Sequence, residues 1–261
     1  MLKKAFLSAF VLACCSAQAL YNGSPSLPHV TETGFFFTKD DWFALKIGYQ
    51  NDILIDRSLK PTNNTIRRMD VFRYYFNQGV ITANFVDRFE VYSSLGAAKF
   101  FIEPRVTPTT RLTMETGNRF TWGVGARGVL YEVSKFSFGM DMKYQESTPS
   151  FQWISINGTP TTSTQGAKLK YQEWQIGLGV SYRIELFTPY VVGRYCQTLA
   201  RYTHFAAGLL PNNATSFRVK SRKKFGISVG ATLSNGNIFD IDFEARMIDE
   251  TAATIALTVR I

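Results

Sequence analysis

The sequence predicts an all-β protein, a transmembrane antiparallel β-barrel of about twelve strands, with ten or fourteen strands as the alternatives. Many segments alternate apolar and polar residues with period two, which is typical of strands with one apolar face. These segments run to about ten residues, the length that a tilted strand needs to cross a bilayer. The chain also begins like an exported protein, and exported chains with many such strands are usually outer-membrane barrels.

The N-terminus has the three parts of a secretory signal peptide. Lys3-Lys4 supplies positive charge, residues 5–15 form an apolar core, and Ala17-Gln18-Ala19 provides the small residues that a signal peptidase recognises. We expect cleavage after Ala19, which leaves residues 20–261 as a single domain. The apolar core is too short for a membrane anchor, which needs ~20 residues.

Cysteine content and charge narrow the function classes further. Val11-Leu12-Ala13-Cys14 looks like a lipidation box, so a lipoprotein is the alternative to simple cleavage. Removing the leader takes two of the 29 Lys+Arg and leaves 27 against 20 Asp+Glu, a formal charge of +7. Cys196 then stands alone and no internal disulfide can form. His29 and His204 are the only histidines, which gives no zinc pattern, and we expect no cofactor, no metal and no catalytic residue.

The alternating segments are the predicted strands. In residues 135–145, Phe138, Met140 and Met142 share one face, while Asp141 and Lys143 share the other. No stretch after the leader has the ~18 consecutive apolar residues of a spanning helix. In lipid every backbone group must be paired, and a closed sheet achieves this without helices. The segments with this pattern are 43–50, 119–130, 135–145, 173–183, 224–233, 239–247 and 255–261.

Turn-rich segments and aromatic residues mark the ends of the strands. Residues 58–65, 157–168 and 206–216 are rich in Pro, Gly, Asn, Ser and Thr, which predicts loops. Asn235-Gly236 predicts a tight hairpin turn. Interfacial aromatic girdles would take the residues at the ends of the apolar stripes, which are Trp42, Tyr49, Trp122, Tyr144, Trp174 and Tyr182. Residues 67–77 and 188–197 have ambiguous faces.

A polar face repeated on successive strands needs water beside it, which indicates a pore. Ten of the candidate lining residues are basic and six are acidic, and rings of Arg and Lys favour anions. We therefore expect passive diffusion of small hydrophilic solutes with a weak anion preference, although small barrels can also fill themselves with side chains. The candidate pore-lining residues are Lys46, Arg88, Glu90, Arg119, Arg127, Lys135, Asp141, Lys143, Glu173, Arg183, Lys224, Asp240, Asp242, Glu244, Arg246 and Arg260.

Other function classes receive weaker support. Residues 123–128 spell G-x-G-x-x-G, but a strand pattern follows where a dinucleotide site needs a helix. The basic run 219–224 is read as a hairpin end or pore mouth, not a nucleic-acid site. Asp240, Asp242 and Glu244 share a face, which leaves a barrel-embedded hydrolase as an alternative, but no histidine accompanies them. A surface-exposed structural or adhesin barrel without conductance is the other alternative.

Several collinear segments, from about residue 42 to the C-terminus, resemble the chlamydial major outer membrane protein family. The resemblance implies an outer-membrane porin that passes small solutes and contacts outer-membrane lipid, and it suggests a homotrimer. Family members carry cysteines that cross-link the envelope, whereas Tyr131–Ser134 and Phe225 stand where we would expect cysteine. The loops are also shorter, and Ile261 replaces the usual terminal Phe. The matching segments are Ile47–Asp52, Asp87–Val91, Trp122–Gly128, Tyr171–Gln175, Phe187–Tyr190, Lys220–Lys223 and Arg246–Glu250.

Overall fold

The structure is a computed structural model that describes residues 21–31, 34–36, 41–161, 166–236 and 238–261. The predicted signal peptide, residues 1–19, lies outside the described residues. Fifteen strands, one short α-helix, α1 (Leu27–Val30), and one 3-10 helix (Pro211–Asn213) make up the regular structure of the described part. The strands are β1 (Phe43–Arg57), β2 (Leu59–Pro61), β3 (Arg68–Phe85), β4 (Phe89–Arg105), β5 (Leu112–Thr116), β6 (Arg119–Val133), β7 (Phe136–Ser147), β8 (Phe151–Ile156), β9 (Thr159–Pro160), β10 (Lys168–Tyr182), β11 (Phe187–Thr203), β12 (Phe217–Ser221), β13 (Phe225–Ser234), β14 (Phe239–Met247) and β15 (Glu250–Arg260).

Ten of these strands close into an antiparallel barrel, which confirms the predicted fold class with the lower of the strand numbers considered. The closed order is β1, β3, β4, β6, β7, β10, β11, β13, β14 and β15, and β15 pairs back with β1. The five short strands extend the wall at one end: β5 pairs β4 and β8, β8 pairs β9, and β12 pairs β11 and β2. Within the described residues, no helix has the length and apolarity to cross a membrane.

The two ends of the barrel differ in the length of their connections. At one end, the short-turn end, β3–β4, β6–β7, β10–β11 and β13–β14 are joined by connections of two to four residues. At the other, the long-connection end, residues 58–67, 106–118, 148–167 and 204–224 link barrel strands. In outer-membrane barrels short turns face the periplasm and long loops face outward. The long-connection end is therefore the outer end.

The barrel wall separates an apolar outer face from a mostly polar interior. On β7, Met140 is 40% exposed, whereas Asp141 is 5% and Lys143 is 1% exposed, so alternate residues of this strand lie on an exposed face and an enclosed face. Asp141 pairs in register with Arg127 of β6, and the two side chains point into the same interior. A slip of one residue would turn all of these charges toward lipid.

Aromatic side chains ring the outer face at two levels. Towards the long-connection end, the ring centroids of Trp122 and Tyr144 are 5.7 Å apart, and Tyr195 lies 5.3 Å from Trp174 and 5.1 Å from Phe225. We call these five residues the outer girdle. At the short-turn end the pairs are Phe43–Phe85 at 5.6 Å and Phe136–Tyr182 at 4.6 Å. Such girdles sit at the two membrane interfaces.

Candidate functional site

The interior of the barrel is the candidate site, and it collects most of the charged residues singled out from the sequence. Arg88, Lys135 and Arg183 instead lie in turns at the short-turn end, and Arg119 and Lys224 lie at strand starts at the long-connection end. These five residues lie at the ends of the barrel, because the alternating pattern of each segment continues beyond the enclosed part of its strand. The candidates that the structure buries inside the barrel are Lys46, Glu90, Arg127, Asp141, Lys143, Glu173, Asp240, Asp242, Glu244, Arg246 and Arg260.

A network of ion pairs crosses the middle of the interior. Glu250 contacts three arginines: Arg57, Arg194 at 2.8 Å and Arg246 at 3.0 Å. Arg57 also contacts Glu173 at 2.6 Å. All five side chains are at most 2% exposed. Removing one partner of a buried ion pair is costly, because the remaining partner keeps an uncompensated charge. These ion pairs therefore hold β1, β10, β11, β14 and β15 together across the interior.

Several buried charged residues are not among the candidates predicted from the sequence. Asp52 continues the inward alternation of β1 beyond Gln50 and could have been found by extending it. Arg57 follows a register shift between Leu54 and Asp56, which interrupts the alternation of β1. Arg194 lies in the segment of ambiguous faces. With these residues, the described interior buries seven basic and nine acidic side chains. The basic ones are Lys46, Arg57, Arg127, Lys143, Arg194, Arg246 and Arg260; the acidic ones are Asp52, Glu90, Asp141, Glu173, Asp240, Asp242, Glu244, Asp249 and Glu250.

The N-terminal segment, residues 21–31, lies inside the barrel, and we call it the plug. The backbone N–H groups of Asn22 and Gly23 donate to the two carboxylate oxygens of Glu244, at 3.2 and 3.0 Å. The Asn22 side chain donates to Ser228 at 2.8 Å and accepts from Gln175 at 2.9 Å. Gly23 has φ +80°, and a Cβ there would meet Leu27 Cδ1 at 2.7 Å, so a glycine suits this turn.

Wall side chains also hold the C-terminal half of the plug by its main chain. Lys46 Nζ donates to the carbonyl of Leu27 at 2.8 Å, and Asn84 Nδ2 donates to that of Pro28 at 2.6 Å. Arg260 Nη1 donates to the carbonyl of Thr31 at 2.7 Å. The plug contains no alternating pattern, and its partners are spread from Lys46 on β1 to Arg260 on β15, so no local signal predicts its position.

The outer half of the interior is apolar, which differs from the polar interior expected along the whole barrel. Phe72, Tyr74, Phe76, Phe100 and Tyr171 are each 0% exposed. Tyr74 stacks on Phe76 with ring centroids 4.3 Å apart, and Phe100 lies 5.1 Å from Tyr171. We call these five residues the aromatic cluster. It belongs to a larger apolar core that includes residues of β5, β8 and β12.

Little empty space remains between the plug, the ion-pair network and the aromatic cluster. One interior cavity of about 40 Å³ is lined by Tyr21, Leu27, Lys46 and Asp240, among others. A second, of about 10 Å³, lies beside Pro25 and Gly139. A water molecule needs about 10–15 Å³, so these cavities hold a few waters at most. In this structure the plug and the wall side chains fill the interior, so these cavities form no continuous channel through the barrel.

Two of the three buried carboxylates of β14, Asp242 and Glu244, are hydrogen-bonded within this interior. Asp242 accepts hydrogen bonds from Tyr190 at 2.6 Å and Thr232 at 2.5 Å. Glu244 holds the plug, and Tyr190 also approaches it at 3.2 Å. In the described part of the chain, no group of His, Cys, Asp and Glu side chains is arranged to hold a metal ion.

A closed antiparallel barrel with an apolar outer band, two aromatic girdles and a charged interior is an outer-membrane β-barrel. The family model for the Chlamydia major outer membrane protein matches residues 151–203 and 213–261. The major outer membrane porin of Chlamydophila psittaci is 24% identical, with 97% of each chain covered, and that of Chlamydia pneumoniae is 26% identical, with 98% of each covered. The chain is therefore similar over almost its whole length to the chlamydial major outer membrane porins, and it is located in the outer membrane.

The alignment with the Chlamydophila psittaci porin extends over 391 positions, more than the 261 residues of this chain. Parts of that relative therefore have no counterpart in this chain. Solved structures that match this chain include the translocator domain of the autotransporter NalP from Neisseria meningitidis, with 10% identity, a TM-score of 0.46 and coverage of 83% of this chain and 88% of that one. The outer membrane protease OmpT from Escherichia coli has 13% identity and a TM-score of 0.38, with 84% and 91% covered.

Proposed function

We propose that this protein is an outer-membrane porin whose closed form is the one described, and that solutes pass once the plug leaves the barrel. The observation that carries the proposal is the way the plug is held. Its bonds run to charged and polar wall side chains, such as Lys46, Arg127 and Glu244. Water can replace such partners, so departure of the plug leaves a hydrated passage in the inner half of the barrel. The relatives' name, major outer membrane porin, supports the same function.

Passage through the outer half needs a second rearrangement, because the aromatic cluster fills it. Tyr74 and Tyr171 carry hydroxyl groups, and Arg57 reaches Tyr171 with a hydrogen bond of 3.1 Å. The cluster therefore borders directly on the ion-pair network. Small hydrophilic solutes that enter from the periplasmic side would reach this border first, and its opening would control permeation.

We also propose a weak anion preference, carried by the mouths of the barrel. Arg88 and Lys135 are exposed at the short-turn end, where Arg88 lies 3.6 Å from Glu132, and Arg119 is exposed at the long-connection end. The seven basic and nine acidic side chains buried inside do not supply such a preference by themselves. Cations at a mouth raise the local concentration of anions. A reversal potential measured in a salt gradient tests this, and a sign that indicates cation selectivity would refute it.

Conductance of the purified mature protein in planar bilayers tests the porin function. We expect rare openings for the intact protein and more frequent stepwise openings when residues 22–31 are deleted, with the aromatic cluster as the remaining barrier. Replacing residues 22–31 with a Gly-Ser segment of equal length is the matched comparison. It keeps main-chain groups but loses the side-chain contacts of Asn22 with Ser228 and Gln175, so it should open less often than the deletion and more often than the intact protein. Folding of each variant is checked by its shift in mobility on unheated gels.

A structural barrel without conductance is the second candidate function, and the aromatic cluster favours it. Folded but electrically silent deletion variants would establish this candidate and refute the porin. We further infer that the protein is not an enzyme, since Asp242 and Glu244 are engaged by Tyr190, Thr232 and the plug. A homotrimer remains a prediction that cross-linking in membranes can test.

A further inference from the structure

Four neighbouring strands at the long-connection end present a surface of uncompensated positive charge. Lys170 of β10 pairs in register with Arg201 of β11, and Arg201 pairs with Arg218 of β12. Lys220 of β12 pairs with Lys60 of β2. These side chains are exposed on the outer wall, as is that of Lys168 at the start of β10. We call these residues the cationic patch: Lys60, Lys168, Lys170, Arg201, Arg218 and Lys220.

The patch places like charges directly opposite one another, which destabilises a sheet. Neighbouring strands lie about 4.8 Å apart, so the row of Lys170, Arg201 and Arg218 spans about 10 Å. Among the residues that the structure describes, one carboxylate within ion-pair distance serves the patch, that of Glu146 at 3.3 Å from Lys170. Such an arrangement is stabilised by an external anion.

The opposite side of the same end shows that this excess is local. There, Arg105 contacts Asp70 at 2.7 Å and Arg111 contacts Glu103 at 3.5 Å. Lys99 of β4 contacts Glu115 of β5. The cations on β4 and beside β5 are thus matched by acids on the same wall, whereas those on β2, β10, β11 and β12 are left to find partners outside the protein.

The height of the patch on the wall indicates what those partners are. On the outer face of β10, Trp174 of the outer girdle is followed towards the long-connection end by Gln172, Lys170 and Lys168. At about 3.3 Å per residue, the first two patch residues of this strand lie roughly 13 to 20 Å along it beyond Trp174. Because barrel strands tilt by about 40°, the patch lies roughly 10 to 15 Å above the girdle, which puts it on the outward side of the wall at the outer edge of the headgroup layer.

We propose that the cationic patch binds the phosphate groups of a phosphorylated headgroup in the outer leaflet. Two arginines and four lysines on rigid strands offer charge-assisted hydrogen bonds, and guanidinium groups bind phosphate oxygens in pairs. A span of about 10 Å, from strands about 4.8 Å apart, accommodates two phosphates on one headgroup. A soluble polyanion would be met more readily by the loop tips than by the wall, which is why a lipid is favoured.

Binding of lipid A to the full mature protein in detergent, followed by native mass spectrometry, tests the proposal. The probes are diphosphorylated lipid A and the same lipid after removal of its phosphates. The patch variant carries Arg201→Gln, Arg218→Gln and Lys220→Gln. The control variant loses the same number of charges through Lys99→Gln, Arg105→Gln and Arg111→Gln.

We expect the patch variant to bind diphosphorylated lipid A at least tenfold more weakly than the intact protein, and the control variant to bind it within about twofold of the intact protein. The dephosphorylated lipid should bind the intact protein as weakly as the patch variant binds the phosphorylated one. Equal binding of both lipids, equal loss in both variants, or preferential binding of heparin over lipid A would overturn the proposal. If the triple variant does not fold, Arg218→Gln alone, measured against Arg111→Gln, gives the same comparison.

Discussion

Arg127 of β6 donates a hydrogen bond of 2.8 Å from Nη2 to the main-chain carbonyl of Asn22, and so joins the barrel wall to the plug. The same guanidinium lies 3.4 Å from Asp141 and 3.5 Å from Glu90. Because the acceptor in the plug is a backbone atom, side-chain substitutions in the plug leave this bond in place. Substitutions in the wall therefore release the plug more effectively than substitutions in the plug itself.

Replacement of Arg127 by Met should destabilise the folded barrel by about 3–5 kcal/mol, since it removes the buried cation that Asp141 and Glu90 share. The measurement is the temperature at which the compact gel band converts to the unfolded one. Arg119→Met, at an exposed position, is the control and should leave this temperature unchanged. An equal temperature for Arg127→Met and the intact protein would contradict the assigned role of Arg127.

Asn22→Ala should have a smaller effect of about 1–3 kcal/mol, the usual result of leaving buried hydrogen-bond partners unsatisfied. It removes the contacts with Ser228 and Gln175 and keeps the two backbone bonds to Glu244. Protease digestion of the plug in the folded protein is the measurement. Digestion should be faster than in the intact protein and slower than in Arg127→Met, and the reverse order would argue against docking through the main chain.

Met140→Arg tests the lipid-facing side of β7. A charge near the middle of the lipid face costs about 2–4 kcal/mol, so we expect a reduced yield of assembled barrel in refolding into lipid vesicles. Met140→Leu keeps the apolar face and should assemble normally. Normal assembly of Met140→Arg would mean that this face of β7 is not in contact with lipid.

Docking of the plug should weaken on acidification because of His29. Burial lowers the pKa of the His29 imidazole below its ordinary value of 6.5, against the opposing attraction of Glu132, whose carboxylate lies 3.1 Å away. The docked state therefore disfavours the protonated ring, and docking is weakened as the pH falls below 6.5 and unaffected well above it. The other charged groups that act on His29 are Arg183, Lys46 and Asp87.

Open probability in bilayers between about pH 8 and about pH 5, the range in which histidine titrates, measures this effect. It should rise on acidification in the intact protein, and the rise should be smaller in His29→Gln. Because the variant retains every other titrating group, the difference between the two curves reports His29 alone. Identical curves would show that His29 takes no part.

Cys196 should be inert towards thiol reagents in the folded protein. Its side chain is 1% exposed and donates a hydrogen bond of 2.8 Å to Glu173. A water-soluble maleimide should label it only after denaturation, whereas a cysteine introduced by Lys223→Cys at an exposed position should react at once. Rapid labelling of Cys196 in the folded barrel would require an open interior. The burial also gives Cys196 no access to partners in the envelope.

The sequence predicted the side chains of the membrane-spanning levels well, because alternation is a local property of each strand. Asp141 and Met140, one residue apart, lie on opposite faces as expected. The outer level could not be predicted in this way. There, Phe72, Tyr74 and Phe76 point inward and Arg73 points outward. The inward face is therefore apolar and the outward face polar, the reverse of the membrane-spanning levels. Above the lipid, the outer wall meets water and the interior is free to be apolar.

The plug and the strand number escaped prediction for a different reason, which is that both depend on distant parts of the chain. The partners of Asn22 lie on β6, β10, β13 and β14, more than a hundred residues away. The estimate of twelve strands divided the chain evenly. The structure instead has fewer and longer barrel strands, such as β3 with 18 residues. Five short strands form the outer extension and do not belong to the closed barrel.

The position of the plug has a consequence for the order of assembly. Residues 21–31 precede every strand in the chain, yet they bond to Lys46 on β1 and to Arg260 at the end of β15. Their binding surface is complete only when the first and last strands have joined. The plug precedes all strands in the chain but docks only after β1 and β15 have paired. Docking of the plug is thus a sign that the barrel has closed. Contacts of such long range form slowly, so an unseated N-terminus should mark barrels that are still being built.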